Sequence, residues 1–249
     1  MIERPTQNRS RLKVLAINGS PRARKGATDL VLQRFLHGAS ASGADTEVLY
    51  PARMKIAPCL GELDCWFKHP GKCRHNDDMP LVANEFNSAD LVVFATPVYL
   101  DTMTAQIKAL LDRMVAYTDP YVSIQDGRTV HPSPGTKKRK AVVISVCGYP
   151  QRDNFDPLSL TFSRITSSMH LDLLAEFYFP AAHLIFTEPA RLSLQLQALE
   201  DAGREAAETL GISSGSINRA NSDYVGDPEQ YVQWLNLMFK KIRSHFNAE

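Results

Sequence analysis

Cysteine is scarce in this sequence. Its 249 residues carry four, too few for the disulfide scaffold that staples small secreted domains. An excess of one charge sign is missing as well. The 28 Lys and Arg against 27 Asp and Glu leave a formal net charge of +1, so no broad field is available to grip nucleic acid or an anionic membrane. No apolar run reaches the roughly 18 residues that would span a bilayer. The polar opening, residues 1–11, lacks the apolar core of a signal peptide. The expected location is therefore the cytoplasm, with no nucleic-acid or membrane partner. What is present is ordinary for a globular chain: 44% hydrophobic and 22% charged residues, which excludes a disordered chain, a coiled coil and a collagen-like fibre. At about 150 residues per domain, the length corresponds to one large domain or a domain with an appendage.

Strand and helix patterns alternate from residue 12 to 188. Leu12 to Ile17 is a short apolar run stopped by Asn18-Gly19-Ser20-Pro21 and reads as a buried parallel strand. Leu30, Val31, Phe35 and Leu36 fall at helical spacing within residues 28–41. A second strand is expected at 46–50, a short helix at 81–87, a third strand at 91–95 ended by Thr96-Pro97, and a helix at 105–115. Residues 119–140 read as a polar loop whose basic cluster Lys137-Lys138-Arg139-Lys140 is solvated. A fourth strand at 141–146, a helix at 158–169 and a strand at 175–179, with an extension at 184–186, complete the series. This order predicts an α/β fold: a three-layer, flavodoxin-like sandwich with a five-stranded parallel sheet in the order 2-1-3-4-5 and helices on both faces. Three parts are expected: a polar tail (1–11), the sandwich domain (12–188) and a helical C-terminal extension (189–249). The extension holds a Gly/Ser/Asn-rich linker at 213–222 and a last amphipathic helix carrying Tyr231, Trp234, Leu235, Met238 and Phe239.

In such a sheet, ligands bind at the carboxyl ends of the strands. The first of these loops, Gly19-Ser20-Pro21-Arg22-Ala23-Arg24-Lys25-Gly26-Ala27-Thr28, enters a helix. Its exposed N–H groups and the helix dipole favour an anion, and Ser20, Arg22 and Thr28 can donate to phosphate oxygens. A nucleoside triphosphatase loop needs Gly-Lys-Ser/Thr, but Gly26-Ala27-Thr28 lacks the lysine. A dinucleotide fingerprint needs Gly-x-Gly-x-x-Gly, but Ser20-Pro21 follow Gly19. A single phosphomonoester suits the loop better. The next two loops, Thr96-Pro97-Val98-Tyr99-Leu100-Asp101 and Cys147-Gly148-Tyr149-Pro150, each offer an aromatic ring beside backbone that a flat ligand can approach.

Taken together, Asn18-Gly19-Ser20-Pro21-Arg22, Gly26-Ala27-Thr28, Thr96-Pro97-Val98-Tyr99 and Lys108-Ala109-Leu110-Leu111-Asp112-Arg113 resemble the NADPH-dependent FMN reductase group, and within it the iron–sulfur-flavoprotein branch. The resemblance covers about residues 12–180. It implies that Ser20, Arg22 and Thr28, with Gly26 and Ala27 between them, hold an FMN phosphate. It also implies that Pro97, Val98, Tyr99, Leu100, Cys147, Gly148 and Tyr149 line the isoalloxazine ring. The implied activity is NAD(P)H-dependent: hydride passes from nicotinamide to bound FMN and on to a small acceptor (a quinone, nitro or azo compound, metal ion or free flavin), with no separate acid or base in the protein. Substrate choice would depend on residues 119–139 and the C-terminal extension. A homodimer or homotetramer is implied, since many relatives place the flavin near a subunit interface.

The branch's cluster motif is altered here. Cys59, Cys65 and Cys73 remain, but Glu62 stands where the second cysteine falls. Three thiolates and a carboxylate are a poor set for a four-iron cluster, and a zinc site using His69 or His75 has the wrong spacing. The segment reads as a relic folding over the sheet edge, its cysteines packing residues or redox-sensitive thiols. Asp77-Asp78 suits helix capping. Two other functions stay open from sequence: a one-electron carrier docking to proteins, disfavoured by the near-neutral charge, and a flavin-binding regulator.

Overall fold

The computed structural model describes residues 11–125, 127–132 and 137–246; the polar tail, residues 1–10, lies outside them. The chain runs β1 (Lys13–Asn18), α1 (Ala27–Ala41), β2 (Asp45–Leu49), α2 (Asp64–Phe67), α3 (Met79–Ser88), β3 (Leu91–Pro97), α4 (Ala105–Arg113), β4 (Ser123–Gln125), β5 (Arg128–Val130), β6 (Arg139–Val146), α5 (Asp156–Ser168), β7 (Leu171–Phe179), α6 (Leu184–Thr187), α7 (Ser193–Thr209), α8 (Ser214–Ala220) and α9 (Pro228–Phe246). The main sheet has the order β2-β1-β3-β6-β7, all parallel. Counted among its own five strands this is the expected 2-1-3-4-5.

Alternation along each strand builds two cores, because successive side chains point to opposite faces. Val14, Ala16, Leu91, Val93, Ala95, Val142 and Ile144 face a layer made by α1 and α7. Leu15, Ile17, Val92, Phe94 and Val143 face α3, α4 and α5. Parallel strands covered on both sides read as continuous apolar runs, and β3 is buried at every position.

The C-terminal segment packs into the first of these layers. α7 crosses α1 where each helix has a glycine. A Cβ on Gly38 would collide with the Glu200 carbonyl, and one on Gly203 with the Phe35 carbonyl. The backbones touch there, and Leu199, Ala202 and Ala206 close the core beside Val31, Leu32 and Phe35.

Four expectations from sequence need correction. Residues 184–186 do not extend a strand. Pro180 ends β7, Ala181 adopts a left-handed φ of 50°, and the chain folds back so that the Ala181 and Ala182 N–H groups donate to the Tyr149 and Cys147 carbonyls (both 2.8 Å); α6 follows. Residues 213–222 are not a linker but contain α8. The Ser213 hydroxyl caps its N-terminus by accepting from the Ser216 N–H, the Glu205 carboxylate anchors the Ser213 N–H and both hydroxyls, and Ala220 is fully buried. The polar 119–140 loop contains the β4–β5 hairpin. The basic cluster is engaged rather than free: Lys137 pairs with Asp90, Lys140 with Asp172, and Arg139 packs over Phe86.

The irregular segment between β2 and α3 is pinned by one buried ion pair. Arg113, at the end of α4, donates to Asp77 through both terminal nitrogens (2.6 and 3.1 Å) and to the Ala57 carbonyl (2.8 Å). The two side chains are 1% and 2% exposed. Asp77 also accepts from the Ala57 and Met79 N–H groups. Burial opposes ionisation of Asp77, but these donors outweigh it and hold its pKa at about 2. The capping read from Asp77-Asp78 therefore belongs to Asp77, while Asp78 accepts from the Lys55 N–H.

Two outcomes follow from these contacts. Gly203→Ala forces α1 and α7 apart and lowers stability by about 1–3 kcal/mol, read as a shifted urea midpoint; an unchanged midpoint would show that the crossing is not tight. Asp77→Asn strands a buried guanidinium and lowers stability at pH 7 by about 3–5 kcal/mol. A carboxyl depressed from roughly 3.9 in the unfolded chain stabilises above pH 4 and loses that contribution as pH falls towards 2. The gap between parent and variant in urea melts must narrow over that interval.

Candidate functional site

Three loops meet at the carboxyl edge of the sheet because β1, β3 and β6 are adjacent and in register, with Asn18 opposite Ala95 and Pro97 opposite Val146. The first begins at Asn18, a fully buried polar residue. Its side chain accepts from the Ser20 N–H and donates to Asp29, each at 3.0 Å. Tyr50 also donates to Asp29, at 2.8 Å. Burial, with Asp29 adding to it, pushes the Tyr50 phenol up to about 12, so it remains a donor.

The loop then passes through Ala23 at a left-handed φ of 48° and reaches Gly26, the N-cap of α1, which has no side-chain cap. A Cβ at Gly26 would lie 2.6 Å from the Ser20 hydroxyl, so the glycine keeps that hydroxyl in place. Ser20 and Thr28 are 3% and 1% exposed, yet neither hydroxyl has a hydrogen-bond partner among the described residues. The Ala27 and Thr28 N–H groups are also without backbone partners there. Neither hydroxyl oxygen is among the sealed, unpartnered atoms, so these donors open to the crevice. These converge on the positive end of a helix, which is a place for an anion. Arg22 and Arg24 flank the loop, their guanidiniums over the Phe186 and Tyr50 rings at 5.7 and 5.5 Å.

The second loop is a tight hairpin turn. The Tyr99 N–H donates to Thr102 (2.9 Å) and the Thr102 N–H to Tyr99 (3.3 Å), with Leu100 and Asp101 both left-handed (φ 44° and 65°), the geometry of a primed turn. Non-glycine residues held so are strained, and such strain gathers at functional sites. Pro97 is buried and Val98 half-buried, while Tyr99 is exposed and Leu100, at the tip, is 97% exposed. Of the residues expected along a ring, Leu100 thus contributes least to the wall.

The third loop is held from the C-terminal part of the chain. The Cys147 N–H donates to Phe179 (3.0 Å), and its buried thiol is pushed up by desolvation. The Gly148 carbonyl accepts from the Tyr231 hydroxyl of α9 at 2.9 Å, and His183 Nδ1 lies 3.2 Å from that hydroxyl. Burial raises Tyr231 to about 12 and lowers His183. Tyr231 is therefore protonated and donating, His183 is neutral near pH 7, and its Nδ1–H donates to the tyrosine oxygen. Tyr149 stands exposed beside them.

All twelve residues expected at the site lie on these three loops. Sequence reasoning missed the supporting residues Asn18, Asp29, Tyr50, His183, Phe186 and Tyr231. Asn18, a polar residue closing a buried strand, was a readable signal. Tyr231 was not, since it lies more than eighty residues from the loop it holds.

The arrangement fits a flavin mononucleotide. Two inward hydroxyls and a helix N-terminus match a phosphate, and two open aromatic flanks match a flat ring. It does not fit an iron–sulfur cluster. Cys59 is exposed, Cys65 buried and Cys73 half-buried. Among the described residues, no three Cys, His, Asp or Glu side chains are gathered to hold a metal, and Asp77 is already occupied by Arg113.

Comparison with known proteins agrees with this geometry. An iron–sulfur flavoprotein of Methanocaldococcus jannaschii is 35% identical over 102 residues, 41% of this chain and 51% of that protein. One from Archaeoglobus fulgidus is 35% identical over 106 residues, covering 43% and 47%. This chain thus spans about half the length of these relatives. Among solved structures, an NAD(P)H:quinone oxidoreductase of Methanothermobacter marburgensis superposes with a TM-score of 0.57 at 18% identity, over 81% of this chain and 96% of that one. A flavone reductase gives 0.56 at 15%, over 96% and 93%; at such identities these two show a shared fold. The NADPH-dependent FMN reductase family model matches residues 12–151, the stretch that contains all three loops, and the chain belongs to that family.

Proposed function

We propose that this protein is an NAD(P)H-dependent FMN oxidoreductase passing hydride from a nicotinamide, through bound FMN, to a small acceptor. The observation that carries the reading is the pair of unpartnered hydroxyls on the buried residues Ser20 and Thr28, beside N–H groups at the start of α1 that have no backbone partner. Bound FMN supplies hydride acceptance and return. The protein's own groups bind and orient. Ser20, Thr28 and the Ala27 and Thr28 N–H groups donate to the phosphate, and Arg22 swings from Phe186 to complete its neutralisation. Pro97, Val98, Cys147 and Gly148 form the bed of the ring, and Tyr231 fixes Gly148 through its carbonyl. Tyr99 and Tyr149 flank an open face where a nicotinamide and then a planar oxidant such as a quinone, nitro or azo compound can stack in turn, so turnover is ping-pong. No helix among the described residues is long and apolar enough to cross a membrane, and the proposed site of action is the cytoplasm.

The proposed working unit is a homo-oligomer built on α9. Val232, Leu235, Phe239, Ile242 and Phe246 repeat at spacings of three and four, the period of a helix–helix seam. Leu235 is buried, whereas Val232, Phe239, Ile242 and Phe246 are exposed, Phe239 with one contact back to the His183 ring at 5.8 Å.

Two measurements test these readings. Arg22→Ala with Thr28→Ala weakens FMN by at least tenfold and riboflavin hardly at all, in fluorescence titrations; equal loss for both would overturn the phosphate assignment. Sedimentation at micromolar concentration shows a dimer that Ile242→Glu with Phe246→Glu converts to single subunits. A parent that already sediments as one subunit would remove the α9 assignment.

A further inference from the structure

A cavity of about 390 Å³ lies between α4 and α5. It is far from the flavin crevice. Its wall includes Arg139, the first residue of β6, whereas the crevice begins after Val146 at the strand's other end, roughly 23 Å away at about 3.3 Å per residue. The floor is apolar: Phe86, Leu111, Met114, Val115, Ile165 and Met169. A volume at the low end of the roughly 300–1,000 Å³ typical of small-molecule sites admits a body of modest size.

The charges in its wall do not balance. Among the described residues, Lys108, Arg139 and Arg164 line the cavity with a single carboxylate, Asp112, and Lys108 pairs with that carboxylate. Two guanidiniums are left. Arg139 stacks over Phe86 at 5.7 Å and uses one terminal nitrogen on the Asn87 carbonyl and side chain (3.2 and 3.4 Å). Its Nε is buried with no hydrogen-bond partner among the described residues. Burial pulls the Arg139 pKa below its ordinary value, with Asp90 opposing. A half-buried guanidinium whose Nη1 makes no hydrogen bond among the described residues, set beside an apolar floor, is half of a carboxylate site. The His131 and His170 rings on the rim are already hydrogen-bonded, to the Tyr121 and His131 carbonyls.

We propose that this cavity is a second binding site, for a small monocarboxylate with an apolar body. The carboxylate accepts from Arg139 Nη1, the terminal nitrogen that makes no hydrogen bond among the described residues, with Arg164 at the mouth, and the body lies on the Leu111–Met114–Ile165–Met169 floor. A dianionic phosphate is disfavoured. α3, α4 and α5 all end at this side of the sheet, and their carbonyl ends carry partial negative charge. Against an apolar floor a dianion also gives up far more hydration than a monoanion, which two guanidiniums do not restore.

The test uses the full chain and three probes: decanoate below its micelle-forming concentration, 2-naphthoate and decanol. Calorimetry is expected to give one carboxylate per chain, with decanol at least tenfold weaker than decanoate. Whichever carboxylate is tighter identifies the body as an aliphatic chain or a flat ring, and either supports the site. Trp66 packs at a tilt against the His131 ring, centroids 5.3 Å apart, so binding also changes tryptophan emission. Arg139→Gln is expected to weaken the carboxylate at least tenfold while FMN binding stays unchanged. Arg164→Glu alters only an exposed residue, so it folds, and it is expected to weaken the carboxylate as well. Decanol binding as tightly as decanoate would overturn the proposal. So would a carboxylate affinity that neither variant alters.

Discussion

The chain has no room for a side chain at Gly19, and the site depends on that. A Cβ there would lie 2.6 Å from Ile107 Cδ1 and 2.9 Å from the Thr104 hydroxyl. The same residue donates its N–H to the Ala95 carbonyl (2.8 Å) and accepts from Thr104 (2.7 Å). β1 is thus clamped to β3 and to the start of α4 at the point where it leaves the sheet. Close approach of backbone is a use only glycine allows. Because that exit is fixed, Asn18 can hold the Ser20 N–H, and Ser20 can face Gly26 and Thr28. The first and second loops share this clamp, since Thr104 follows directly from the strained turn at Leu100 and Asp101.

A second glycine contact explains why the C-terminal quarter cannot be treated as an attachment. The Gly38–Gly203 crossing brings α7 into backbone contact with α1, the helix whose N-terminus presents the anion donors. Further along, Tyr231 of α9 reaches the Gly148 carbonyl. Two of the three loops are therefore braced by residues beyond 189: the first through the helix that it opens, and the third by direct hydrogen bond. Interior close packing transmits such constraints with little slack.

The sheet and its order were legible because they rest on local signals: short apolar runs, turn residues and period-2 burial. The anion loop was legible for a similar reason. Ser20, Gly26 and Thr28 lie within nine residues, and a helix start is a local event. What sequence did not show was set by distant partners. Residues 184–186 have the composition of a strand, yet Pro180 and the left-handed Ala181 turn them back onto loop 147–149. Residues 213–222 have the composition of a linker, yet Glu205 supplies a carboxylate that organises Ser213 and Ser216 into a helix start. Arg139 sits in a run of four basic residues that pattern alone marks as solvated, and the placement of Phe86 and Asn87 half-buries it.

The cysteine segment shows how a motif can lose its chemistry and keep its architecture. With Glu62 in place of a thiol, the segment offers fewer soft ligands than a cluster takes. Its position is nonetheless held firmly, because its anchors are of another kind. Arg113 and Asp77 form a buried ion pair that also satisfies Ala57 and Met79, and Trp66 donates its indole N–H to the Val115 carbonyl at 2.9 Å. These bonds join the segment to the end of α4 without using a cysteine. Loss of Cys59 or Cys65 would then leave the surrounding backbone in place, because the Arg113–Asp77 pair holds it and removing one partner of that pair is costly, whereas of the three thiols it is Cys73 that acts on Arg113.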